Sequence, residues 1–113
     1  MRHLGRRVQA AIADLQNSLV AIYGLVAPTC LLYGSQARGD ARPDSDVDVI
    51  LIFSQEIDPV TEILRLGQAL ADKTISRGVV VAVRPITRSQ YQRASGPFWQ
   101  NVKHEGLVID VQT

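Results

Sequence analysis

Two aspartates one residue apart, Asp46 and Asp48, stand ten residues beyond a Gly34-Ser35 pair, and these positions carry the clearest chemistry in the chain. On a strand, residues i and i+2 face the same way with Cα atoms roughly 6.5–7 Å apart, so two carboxylates can converge on one hard cation. A Gly-Ser turn that opens a short helix offers unpaired backbone N–H groups to an anion. Together they make a place for a metal–triphosphate complex. Magnesium needs only one or two protein carboxylates when phosphate oxygens and waters complete its octahedron. Ser35 and the N–H groups after it would hold the β- or γ-phosphate, and Gly34 would let the backbone approach closely. Arg38, one turn on, either neutralises a terminal phosphate or ties down the loop through Asp40 or Asp44. Gly39 serves the turn at the helix end.

The pattern Gly-Ser-x10-Asp-x-Asp resembles the signature of the polymerase-β-like nucleotidyltransferase superfamily. Ala37-Arg38-Gly39 and Ser45 are similar to its short prokaryotic branch, the minimal nucleotidyltransferases. The likeness covers Leu31 to Phe53 directly and Asn101 to Ile109 more weakly. It implies an α+β fold with a small mixed β-sheet and packed helices. It also implies Mg²⁺-dependent transfer of a nucleoside monophosphate, AMP from ATP or the equivalent from another NTP, to an acceptor. Asp46 and Asp48 would be the catalytic metal ligands for one or two ions, with Gly34, Ser35 and Arg38 on the nucleotide. Domains of this branch commonly pair with a small helical HEPN-type protein, as the antitoxin of a toxin–antitoxin pair. A partner of that kind is therefore implied, with self-association as the alternative.

The chain also departs from the resembling family. Active members usually carry a third carboxylate on the central strand after the intervening helix. That strand is read here as Val79 to Val83, and neither it nor Gly78 before it is acidic. Asp72 precedes it inside a helix; Glu105 and Asp110 come a whole element later. A general base alone contributes roughly 10²–10⁴-fold to a rate, so a catalytically impaired nucleotide- or partner-binding module stands as the alternative function. Arg84, just beyond the strand, reads as a solvated strand end within reach of the site.

The elements that must position these residues follow from periodicity. Leu4, Val8, Ala11, Ile12, Leu15, Leu19 and Ile22 recur at helical spacing, predicting a helix over residues 3–25 that Pro28 prevents from continuing. Strands are predicted at 29–33, 46–53, 79–83 and 107–111. Asp58-Pro59 starts a helix to about residue 73. Thr87 to Gln90 has capping-box spacing, Gly96-Pro97 ends that helix, and Phe98 to Lys103 form a further helical turn or two. In the 46–53 strand, Ile50 and Ile52 share the face of the acids. That face needs cover, from a partner subunit or from the first helix.

At 113 residues, 46% hydrophobic and 20% charged, the chain reads as one nucleotidyltransferase domain spanning 1–113. A net charge of +1 and the lack of a basic stripe with interleaved aromatics argue against nucleic acid. Arg2, Arg6 and Arg7 read as a solvated helix end. Cys30 stands alone between apolar neighbours, a core thiol. His3 and His104 lack metal-ligand spacing, and the Phe98-Trp99 pair reads as core packing, with an interface role as the alternative. No apolar run nears ~18 residues, so no membrane span is expected and a cytoplasmic protein is.

Overall fold

The computed structural model describes residues 4–42 and 45–109. Helix α1 (Arg6–Tyr23) buries the stripe Val8, Ala11, Ile12, Leu15 and Leu19. It gives way at Gly24 to a 3₁₀ turn over Gly24–Val26. Strand β1 (Thr29–Tyr33) and the one-turn helix α2 (Ser35–Arg38) meet at Gly34. Strand β2 (Val47–Phe53) follows, buried at every position but Asp48. Helix α3 (Pro59–Arg77) begins where expected: the Asp58 carboxylate accepts the Val60 N–H at 3.1 Å, with Pro59 at the first helical position. It outruns the predicted end because no breaker occurs before Gly78, which caps it in the left-handed conformation. A salt bridge of 3.0 Å from Arg77 to Asp14 fastens its end to α1.

Strand β3 (Val81–Thr87) corrects the sequence reading three times: it begins two residues later, it runs further, and it lies at the edge of the sheet, not its centre. The strand order is β3-β2-β1-β4, with β4 covering Leu107–Ile109. β1 runs antiparallel to both β2 and β4, while β2 and β3 are parallel. The Val47 N–H donates to the Val80 carbonyl at 2.9 Å. The parallel ladder therefore turns the main-chain groups of Ala82 and Arg84 toward β2, and those of Val81, Val83 and Pro85 outward. Proline is tolerated at position 85 because its missing donor faces away from the ladder. The expected end of β4 at Val111 lies outside the described residues.

Thr87 and Gln90 form both hydrogen bonds of a capping box at the start of α4 (Arg88–Arg93). Pro97 opens α5 (Pro97–Glu105), longer than the turn or two expected. Sheet alternation then divides the core. Cys30, Leu32, Val47, Val49, Leu51 and Phe53 pack with α1 and α3 in the larger cluster. Leu31, Ile50 and Ile52 form the smaller cluster with Val102 of α5, flanked by Tyr91 and Trp99. Neither a partner nor α1 covers Ile50 and Ile52: α4 and α5 do, leaving them 0% and 6% exposed. Two short helices suffice because bulky aromatics carry the contact. Burial pushes the Cys30 thiol up to about 12, as befits a core residue.

Candidate active site

The site forms where β1 ends and β2 begins. Tyr33 and Asp48 are register partners on those antiparallel strands, so the residue after Tyr33, Gly34, starts its turn beside the acid. Gly34 adopts φ 75°, ψ −153°, a conformation nearly confined to glycine. A β-carbon placed there would lie 2.9 Å from Asp48 Oδ2. The absent side chain is thus the space the carboxylate occupies, and the backbone leading into α2 lies against the acid. Ser35 is the first residue of α2, and the helix closes with Gly39 in the left-handed conformation, which admits a side chain only with strain. Gln36, buried, donates to the Ser45 carbonyl at 3.4 Å, and the Arg42 N–H donates to Ser45 Oγ at 2.8 Å. These bonds fix the end of the loop that delivers Asp46.

Asp46 precedes β2 by one residue and is exposed, whereas Asp48 is half-buried inside the strand. Burial, and then the nearby Asp46 carboxylate, raise Asp48 above the ordinary carboxylate value. Two like charges held together with one partly desolvated is the electrostatic state a cation relieves. Among the described residues, no group of three or more His, Cys, Asp or Glu gathers to hold a metal. Two carboxylates suit an ion that takes its remaining ligands from phosphate and water.

Arg38 donates through Nε to Asp40 Oδ2 at 3.2 Å, and its Nη1 lies 3.7 Å from Glu105 Oε2. The first contact is the loop tie that the sequence allowed. The second joins α2 to the end of α5 and had no signal in the sequence, because the two residues meet only through the tertiary fold. Asp44, the other partner considered, lies outside the described residues. No acid occurs along β3; Ala82 is the residue in register with Asp48. In a parallel pair, register partners face the same way, so the place for a third carboxylate is taken by a methyl group.

Arg84 is where sequence reasoning fell short. It stands inside β3, not beyond it, on the face of Asp48. Its guanidinium lies 5.1 Å from the Phe98 ring centre and 5.7 Å from that of Trp99. Phe98 in turn meets Tyr33 edge-on at 5.8 Å. Phe98 is 42% exposed, so the aromatic pair is a half-open shelf, and not simply core. Burial and Asp48 raise the Tyr33 phenol, and Arg84 opposes them. An open groove of about 430 Å³ runs from Tyr33 past Ala82 and Arg84 to Pro59 and Ile63 of α3. His104 is exposed, and His3 lies outside the described residues.

A four-stranded mixed sheet flanked by helices is the architecture of the polymerase-β-like nucleotidyltransferases. The family model described as "Polymerase beta, Nucleotidyltransferase" matches residues 27–109, and the chain belongs to that family. It is similar to a candidate protein adenylyltransferase of Methanocaldococcus jannaschii, 28% identical over 104 residues, covering 89% of this chain and 96% of that protein. Two solved structures share the fold. One is a toxin–antitoxin with AMP-PNP, with TM-score 0.57 and 18% identity over 88% of this chain and 70% of that one. The other is a candidate nucleotidyltransferase from Sulfolobus solfataricus, with TM-score 0.56 and 14% identity over 96% and 89% of the respective chains.

Proposed function

We propose that this chain moves AMP from ATP to an acceptor on a partner protein, as the antitoxin of a toxin–antitoxin pair. The observation that carries the reading is the seating of Asp48 Oδ2 in the space a Gly34 side chain would fill. It seats the Gly34–Ser35 turn against Asp48, which supports a phosphate on the turn and a metal on the acids sharing one site. Asp46 and Asp48 would hold Mg²⁺, which when bound offsets the charge of the triphosphate. The N–H groups of Ser35 and its successors would hold the β- or γ-phosphate at the start of α2. Arg38 is half-exposed, and a terminal phosphate would compete for it with the Asp40 and Glu105 carboxylates. The likeness to a candidate adenylyltransferase supports AMP as the transferred group.

The helical HEPN-type partner implied by the resemblance needs a surface other than the Ile50–Ile52 face, which α4 and α5 cover. Val60, Ile63 and Leu64, at helical i, i+3, i+4 spacing on α3, are 63%, 43% and 63% exposed. Ile63 lines the groove that runs past Ala82, the register partner of Asp48, and an acceptor held by a partner on this face of α3 would enter there. The toxin–antitoxin neighbour supports a partner of this general kind.

A second reading, a nucleotide-binding module with impaired transfer, is favoured by one observation: Ala82 stands opposite Asp48 where a third acid would be. Titration with Mg²⁺ and ATP tests what both readings share. Asp46→Asn with Asp48→Asn should abolish binding and leave the fold intact. Unchanged affinity in the double variant would sink the site assignment under either reading.

A further inference from the structure

Arg84 has an unusual position for an arginine on this surface. Among the described residues, the carboxylate-bound arginines are Arg38, Arg65 and Arg77, and no carboxylate meets Arg84. Two aromatic rings hold it instead, at 5.1 and 5.7 Å. Ring faces attract a guanidinium without neutralising it and leave N–H donors free at its edge, suited to phosphate. Arg84 is also one same-face step along β3 from Ala82, the residue abreast of Asp48. Its charge reaches the Tyr33 phenol on the far side of β2. A cation positioned on aromatic rings therefore stands one same-face step from Ala82, on the flank where a third carboxylate is missing.

The two flanks of β2 are not equivalent. The Gly34–Ser35 turn follows β1 on one side, and Arg84 stands on β3 on the other. A triphosphate whose tail rests on the turn beside β1 and whose metal rests on Asp48 of β2 would extend toward β3. We propose that Arg84 binds that α-phosphate and brings to the site the positive charge that a metal on a third carboxylate would otherwise bring. The inference rests on the nucleotidyltransferase reading and assigns this residue's part in it.

During transfer, an acceptor oxygen bonds to the α-phosphorus as the bond from that phosphorus to the bridging oxygen of the β-phosphate breaks. The electron pair leaves on pyrophosphate, and the acceptor's proton passes to water. The Arg84 guanidinium faces the charge on the non-bridging α-oxygens. Ala82 leaves room for this, since a carboxylate there would pair with Arg84.

The test compares two probes in the presence of Mg²⁺: the α,β-methylene analogue of ATP, and pyrophosphate, which has no α-phosphate. Trp99, the single tryptophan and a ring under Arg84, gives a fluorescence signal beside calorimetry. Arg84→Gln should weaken the analogue about tenfold or more, the scale of a charge-assisted phosphate contact, while pyrophosphate affinity stays within about twofold. Arg84→Lys should fall between. If Arg84→Gln does not fold, Arg84→Met, which keeps an unbranched apolar stem on the rings, serves in its place. Equal affinity of variant and wild type for the analogue, or equal losses for both probes, would overturn the inference alone. A wild-type protein that binds neither probe would overturn the functional reading and this inference with it.

Discussion

Replacing Gly34 by alanine separates stability from function at the site. The native conformation at position 34, φ 75° and ψ −153°, costs a residue with a side chain about 1–3 kcal/mol. The new β-carbon would lie 2.9 Å from Asp48 Oδ2. That atom ends a short side chain, so the carboxylate swings away and the backbone is not forced apart. Backbone strain thus dominates the stability loss, and the acid's displacement dominates the functional loss. Gly67 offers the counterweight: it sits within α3, and a β-carbon there would meet nothing within 4 Å. Gly67→Ala should stabilise by about 0.5–1 kcal/mol and leave ligand binding untouched. Chemical denaturation should therefore place Gly34→Ala below wild type and the Gly34→Ala/Gly67→Ala double variant between the two. Calorimetry with Mg²⁺ and ATP should find binding lost in both Gly34 variants. Wild-type affinity in Gly34→Ala would refute the close seating of Asp48 as a requirement of the site. A stability change below about 0.5 kcal/mol would refute the backbone strain.

Three further outcomes are expected. In metal-free buffer Asp48→Asn should be more stable than wild type at neutral pH, because the folded state raises the Asp48 carboxyl above its ordinary 3.8. The folded form then binds the proton more tightly, so Asp48 stabilises least above its raised value, and the gap between the proteins should close as pH falls toward 3.8; a gap that widens on acidification would be the wrong sign. Ala82→Asp places a carboxylate abreast of Asp48 at an exposed position, one same-face step from Arg84, and by pairing with Arg84 it should lower transfer of AMP; a rise would mean that a missing third acid, and not the charge of Arg84, limits the rate. Cys30, buried with its thiol raised to about 12, should resist alkylation until the chain unfolds, and prompt modification of the native protein would contradict the packing of β1.

Local chemistry was the legible part of the sequence. Asp58-Pro59 and the Thr87–Gln90 box announced their helices because a cap needs only neighbours within one turn. The Gly34-Ser35 and Asp46-x-Asp48 elements stood out through their spacing and the family resemblance that it carries, and the same resemblance marked the absence of a third acid. Strand order was not. The run Val79 to Val83 suggested a central strand, but β-branched residues also suit a half-buried edge, and edge position depends on which strands pair elsewhere in the chain. Pro85 was the available signal, since proline within a strand points to an edge. Arg84 over Phe98 and Trp99, and Arg38 beside Glu105, arise from the docking of α5 against the sheet, which no spacing encodes. The same docking supplied the cover for Ile50 and Ile52 that the sequence reading sought from α1 or from another subunit.

Nucleotidyl transfer itself is tested most directly by position-specific label. The protein would be incubated with Mg²⁺ and ATP labelled at either the α- or the γ-phosphate, together with a lysate of its native cell. Label from the α-position should appear on a protein acceptor, label from the γ-position should leave as pyrophosphate, and the Asp46→Asn/Asp48→Asn protein should give neither. Transfer of γ-label to the acceptor, or α-label that persists in the double variant, would contradict the assignment of this site to nucleotidyl transfer.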